Sequence, residues 1–323
     1  MSAALDPEIV KRLEQLEEKF RNSGQDLGSY LDGLLHDRYL TYWDYIHLDT
    51  LLSLQIPKTH FPDEEIFITY HQITELYFKL VIHEMKQIVD DKLQTAEFFI
   101  EKLNRINRYF DVLTDSFDIM IKGMEKEQFL KYRMSLLPAS GFQSVQFRMI
   151  EIYATPLCNL VNEQNRKSFS EKEPLEDTYE HLYWKFGATE TETGEKTLTL
   201  KQFEYRYTPR LMRTAHQVQK SSLYHSYNNL PTEEKNNEIL IEAMRTFDKN
   251  VNVNWGLVHM KAAYRYLNKK GDQEIKATGG TNWKQFLPPS FQKISFFPSL
   301  WSEEELENWG KKWVEDLVNS SNK

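Results

Sequence analysis

A chain of 323 residues with a net charge of −8, its basic residues spread along its length, offers no electrostatic case for nucleic acid. Its one cysteine, Cys158, excludes an internal disulfide and any zinc site built on several thiolates. Aromatics reach 13% while Gly and Pro number only 12 and 11, so turn chemistry is too sparse for a many-stranded β fold and long helices are expected.

Asp6-Pro7 followed by Ile9, Val10, Leu13, Leu16 and Phe20 reads as a capped amphipathic helix, closed by Asn22-Ser23-Gly24. A second segment, Tyr39 to Gln55, carries aromatics on several faces and is stopped by Pro57. After Pro62, the acidic residues Asp63, Glu64 and Glu65 complement the dipole of a first helical turn. The helix they open runs at least to Ile88, with Glu75 and Lys79 as a flanking i, i+4 pair. Phe99, Leu103, Ile106, Phe110, Leu113, Phe117 and Met120 alternate four- and three-residue steps, the buried stripe of a long helix. A short helix is expected over 141–153 and an aromatic-rich piece over 176–186, before the polar loop Thr189 to Lys196. Helical pattern resumes near 203 and again over 233–268, where Lys270-Gly271-Asp272 breaks it. Pro288-Pro289 and Pro298 punctuate the end, and Trp301 to Val318 reads as a final helix. With no internal repeat and no linker, one all-α domain is expected. No apolar run approaches ~18 residues and the N-terminus shows no basic-then-apolar leader, so a soluble, cytoplasmic protein is expected.

Phosphate loops, nucleophile elbows, His-Glu-x-x-His and Cys-x-x-Cys are absent. His83-Glu84 reads as a surface pair and Cys158 as a small buried hydrophobe. Four stretches are unusual for a plain bundle. In the first, Phe67, His71, Thr74 and Phe78 share one helical face. That face suits either a hydrogen-bonded core histidine or a pocket for a flat aromatic ligand with a polar N–H. In the second, Ala139 to Glu151, Arg148 lies among Phe147, Met149 and Ile150. It is either a snorkelling surface residue or a guanidinium held to grip a carboxylate. The third, Trp255 to Met260, holds His259, and one histidine suffices as the protein ligand of a haem iron. The fourth, Ala277-Thr278-Gly279-Gly280-Thr281, is either an ordinary turn or a place where backbone approaches a ligand.

In this order and at these separations the stretches resemble the tryptophan 2,3-dioxygenase family. The likeness starts at Asp44 to Leu52 and takes in Asp63-Glu64, Phe67 with His71-Gln72 and Glu75-Leu76, and Gly141-Phe142-Gln143-Ser144 with Arg148. It continues through His259-Met260, Thr278-Gly279-Gly280 and Phe296-Phe297-Pro298, covering roughly residues 39 to 300. The resemblance implies an all-α helical bundle around a pocket for haem b, one per subunit and ferrous when active, in a cytoplasmic homotetramer. It implies cleavage of the indole 2,3-bond of L-tryptophan by O₂, giving N-formyl-L-kynurenine.

By position, His259 would be the proximal iron ligand and His71 would lie on the distal side near the indole N–H. Arg148 would hold the substrate carboxylate, Thr278 and Gly279 would receive the amino-acid end, and Phe67 would wall the indole. Tyr42, Tyr45 and Ile46 would close the pocket of a neighbouring subunit, with an N-terminal arm of about residues 1–38 packed there. The acceptor for the second nitrogen of His259 is not named by the sequence. The family's Glu-Leu-Trp is Glu75-Leu76-Tyr77 here, its Gly-Thr-Gly-Gly-Ser ends in Thr281, and the stretch Asn268 to Lys276 is longer than usual. These departures bear on the amino-acid end of the pocket. A hydroxylase of tyrosine or another indole on the same scaffold is the rival reading, and a non-catalytic haem or tryptophan binder is the reading from another class.

Overall fold

A computed structural model of the chain describes residues 5–37, 40–91, 95–136, 141–189, 195–267 and 289–311. Its contacts divide the chain into two compact units, Met1–Gln55 and Ile56–Lys323. Among the described residues there are no strands, only the isolated bridges Val161–Leu182 and Thr189–Lys196, as an all-α fold requires.

In the first unit, α1 (Pro7–Asn22) begins where the Asp6 carboxylate accepts the Glu8 N–H at 2.8 Å, satisfying an otherwise orphaned donor. A helix that the sequence pattern did not signal, α2 (Leu27–His36), is capped by Asp26 and meets α1 through the Phe20 and Tyr30 rings at 5.0 Å. The expected continuous segment from residue 39 to 55 is broken. It forms α3 (Tyr42–Tyr45) and α4 (Leu48–Leu52), because His47 adopts a left-handed conformation at φ 52° that no right-handed helix propagates through. None of these helices contains a buried residue.

The second unit is organised on α5 (Asp63–Asp90), a helix of 28 residues. Its first-turn acids do more than complement the dipole. Glu64 is buried and accepts the backbone N–H groups of Lys58 and Thr59 at 2.9 and 2.7 Å, while Asp63 accepts that of Glu125 at 2.6 Å. Burial works against the charge of Glu64, but the bonds from Thr59 and Lys58 hold its pKa below the usual carboxylate value.

The apolar stripe forms α6 (Ala96–Ser116) and α7 (Asp118–Lys122), with Phe99, Leu103, Ile106, Phe110, Leu113, Phe117 and Met120 all buried. Then come α8 (Lys126–Tyr132), α9 (Val145–Ala154), α10 (Leu175–Glu180), α11 (Tyr183–Gly187), α12 (Leu198–Val218), α13 (Leu223–Asn229) and α14 (Thr232–Lys235). Helix α5 packs on α6 and α9, and α12 covers α9.

The last long element starts at Asn237, whose side chain caps α15 (Glu238–Lys249). A π turn, Asn250–Asn254, joins it to α16 (Trp255–Leu267), and the Trp255 N–H donates to the Asn250 carbonyl five residues back. Helix α15 packs on α6.

Several local expectations are corrected. Glu75 pairs with Gln146 of α9 instead of Lys79, accepting its amide at 2.8 Å. Glu84 is buried, not superficial, because Lys102 and Arg105 of α6 lie 3.5 and 3.6 Å from its carboxylate; His83 beside it is exposed. Cys158 is half-buried, with burial pushing its thiol up to about 11. The terminal helix begins at Glu303, since Trp301 is extended and Ser302 is the cap; residues 312–318 of that expected helix lie outside the described residues. No described helix is long and apolar enough to cross a membrane.

Candidate active site

The predicted face of α5 forms. Phe67 and His71 stand 4.1 Å apart between ring centroids, and His71 Nδ1 lies 2.7 Å from the Phe67 carbonyl one turn back. A carbonyl only accepts, so Nδ1 carries the proton and Nε2 of the neutral ring presents a lone pair. The ring is open to solvent, yet burial lowers its basicity. Its chain neighbour Tyr70 points elsewhere, the hydroxyl donating to the Leu113 carbonyl at 3.3 Å and meeting Ser116 Oγ at 3.1 Å.

His259 on α16 repeats the device. Its Nδ1 lies 2.7 Å from the Trp255 carbonyl, which supplies the acceptor that the sequence left unnamed. Its Nε2 has no partner among the described residues. The ring is half-buried, 4.4 Å from Trp255 and 4.5 Å from Phe117. Burial lowers its pKa to about 4, and the charge of a protonated His71 would act in the same direction. Rings bridge the two helices: Phe117 lies 5.7 Å from Tyr70, and Phe78 of the His71 face lies 5.8 Å from Trp255.

Arg148 is buried in a different network. Ser144 caps α9, and Arg148 Nη1 lies 3.0 Å from Glu151 Oε2 on the next turn and 3.2 Å from the Tyr183 hydroxyl, which donates to Glu151 Oε1 at 2.5 Å. The guanidinium lies over the rings of Phe147, Tyr183 and Trp184, and its Nε has no hydrogen-bond partner among the described residues. Burial pushes Glu151 up to about 7 despite the adjacent cation, while the charge of Glu151 helps hold Arg148 above its ordinary value against burial. The guanidinium therefore stays charged, and Glu151 is the member that titrates. No hydrogen bond, ion pair or ring contact joins Arg148 to either histidine.

The structure thus sets Phe67 against His71, links His71 to His259 through the rings of Tyr70 and Phe117, and holds Arg148 with Glu151 and Tyr183. Tyr42 and Tyr45 of the first unit are exposed and Ile46 is half-buried. Thr278, Gly279, Thr281 and the 268–276 stretch lie outside the described residues. Sequence reasoning missed Phe117, Trp255, Tyr183 and Glu151 as parts of these sites. Glu151 was within reach, being at i+3 from Arg148, whereas Phe117 carries no mark that separates it from ordinary core.

Comparison with known proteins supplies the frame for this geometry. The family model for tryptophan 2,3-dioxygenase matches residues 34–291. A protein of that name from Herpetosiphon aurantiacus is 30% identical over 270 residues, 81% of this chain and 96% of that one. The chain belongs to the tryptophan 2,3-dioxygenase family. Other relatives of that name match more locally. The one from Ruegeria sp. (strain TM1040) is 40% identical over 114 residues, and that from Bacillus thuringiensis subsp. konkukian is 36% identical over 135. Those alignments span 40% and 47% of the relatives' length. Phe67, His71 and His259 all lie within the matched family region.

Proposed function

We propose that this chain is a haem-dependent dioxygenase that opens the indole 2,3-bond of L-tryptophan with O₂, both oxygen atoms entering N-formyl-L-kynurenine. The observation that carries this reading is a pair of imidazoles linked through the rings of Tyr70 and Phe117, each tied through Nδ1 to its own helix and each with no partner for Nε2 among the described residues.

The residues present fit a haem b. His259 offers a neutral nitrogen lone pair, its orientation fixed by the Trp255 carbonyl, and the Trp255 and Phe117 rings supply apolar walls. Bound there, haem would supply the oxygen activation that side chains lack. His71 Nε2 accepts the indole N–H, and Phe67 walls the ring. Arg148 holds the substrate carboxylate, a role that exchanges Glu151 for a second carboxylate on the same guanidinium. Thr278 and Gly279 receive the amino-acid end.

The working form is a homotetramer in which each subunit is one all-helical domain with an N-terminal arm laid on its neighbour, Tyr42, Tyr45 and Ile46 closing that neighbour's pocket. Two observations support this assembly. The α3 aromatics are more than half exposed, and α5 presents Ile73, Leu76 and Leu80 to solvent on the side away from His71.

The test is a haem titration followed by anaerobic reduction, addition of L-tryptophan and admission of air. A Soret band and N-formylkynurenine absorbance are expected. Protein that takes up no haem overturns the reading, and product from tyrosine in place of tryptophan moves it to the hydroxylase.

A further inference from the structure

We propose that Asp248 and the π turn it braces form a positioning device that aims His259 by setting the rotation of α16. The proposal rests on the reading of His259 as the iron's ligand.

Helical phase carries the argument. Leu240, Met244, Phe247 and Val251 are buried in a row, the core-facing stripe of the helix. The same side carries buried Trp255 and half-buried His259, whose ring meets the core ring of Phe117 at 4.5 Å, so Phe247, Val251, Trp255 and His259 are separated by four residues each. In an unbroken α-helix each four-residue step over-rotates by about 40°, and the series would leave His259 about 120° off the stripe. Val258 would take its place. The i→i−5 bond from Trp255 to Asn250 inserts one extra residue into a single turn, about 100° of rotation, and returns the imidazole to the stripe.

A π turn is an uncommon conformation, and side chains hold this one. Asn250 Nδ2 donates to Asp111 Oδ1 of α6 at 3.1 Å, and Asn254 Nδ2 to Asn250 Oδ1 at 2.8 Å. On the other side Asn252 Nδ2 donates to Asp248 Oδ1 at 2.7 Å. Asp248 is fully buried without a cation partner among the described residues. Its remaining donors come from one segment: Ser295 Oγ at 2.7 Å, the Phe296 and Phe297 N–H groups at 2.9 and 3.3 Å, and Trp301 Nε1 at 2.9 Å. A buried carboxylate held only by donors fixes every group that supplies them. The residues from Ser295 to Trp301 are thereby clamped to the last turn before the π turn.

The experiment compares three variants of the full chain, with circular dichroism as the check on folding. Asp248→Asn cannot accept on both sides of the side chain. It should weaken haem uptake by about tenfold or more, broaden the ferrous Fe–His Raman band, and recover haem binding with added imidazole. In the haem-free protein it should speed amide exchange over residues 249–259. An alanine inserted between Asn254 and Trp255 should remove the Fe–His band by turning His259 away. Deletion of Asn254 should keep the band, because an ordinary α turn with one residue fewer returns His259 to the same stripe.

Loss of the band on deletion with retention on insertion overturns the proposal, as does Asp248→Asn with unchanged haem affinity and exchange. Should Asp248→Asn fail to fold, Trp301→Phe removes one donor, and unchanged exchange in it counts equally against the clamp. Wild-type protein that binds no haem sinks the proposed function alone, since amide exchange in the haem-free variants still decides whether the register is held this way.

Discussion

His71 stands on an unbroken helix of 28 residues and reaches solvent, whereas His259 stands one turn past a π turn, half-buried between Trp255 and Phe117. Both place Nδ1 2.7 Å from the carbonyl four residues back. The shared bond sets the same tautomer on each ring, so the difference between them comes from the surroundings. An open imidazole with a free lone pair suits a hydrogen bond from an incoming N–H. An enclosed one, kept neutral by burial, suits a metal.

The sharpest way to break this comparison is His259→Ala, which should abolish stable haem binding; a titration that still yields a stoichiometric Soret band, with normal turnover, refutes the assignment. Next in size is Arg148→Ala. Removing one member of a buried pair costs about 3–5 kcal/mol of stability, and loss of the carboxylate grip should raise KM about 100-fold with a smaller change in kcat. An unchanged KM in thermally stable protein removes Arg148 from substrate binding and leaves it a structural ion pair. His71→Ala should keep haem and lower kcat/KM about tenfold, the worth of one positioned hydrogen bond. A loss of about 10² to 10⁴ would instead give His71 a proton-abstracting role.

The smallest effect sharpens the contrast between the histidine pair and the arginine network. The folded-state pKa of Glu151 is raised from 4.5 to about 7, so its protonated form is favoured by folding. Its contribution to stability is complete below about pH 4.5 and is lost as pH rises through about 7. Glu151→Gln should flatten that part of the melting-temperature profile. A profile that still falls across the window assigns the titration to another group.

Local signals were legible and distant ones were not. Asp6-Pro7 announced the start of α1, and period-3.6 spacing announced both the α6 stripe and the grouping of Phe67, His71, Thr74 and Phe78. His259 was legible as a residue but not as a direction, because the three asparagines of Asn250–Asn254 hold the π turn through Asp111 and Asp248, partners that no local pattern names, and the turn shifts the phase of everything after it. The burial of Glu84 was beyond reach for another reason: Lys102 and Arg105, which neutralise it, belong to the next helix. The left-handed His47 likewise sits inside a pattern that reads as continuous helix.

Tyr70 and His71 are adjacent in the chain and about 100° apart around α5, one bonded to α6 and the other exposed beside Phe67. An in-frame gain of one codon between Asp63 and Tyr70 would turn the phenol to where the imidazole now points, whereas loss of one codon would turn the imidazole toward Leu113. Amino-acid composition would barely change and a helical protein could still accumulate in the cell. The proposed catalysis would be lost, which makes the spacing within this helix a heritable trait as consequential as any side chain it carries.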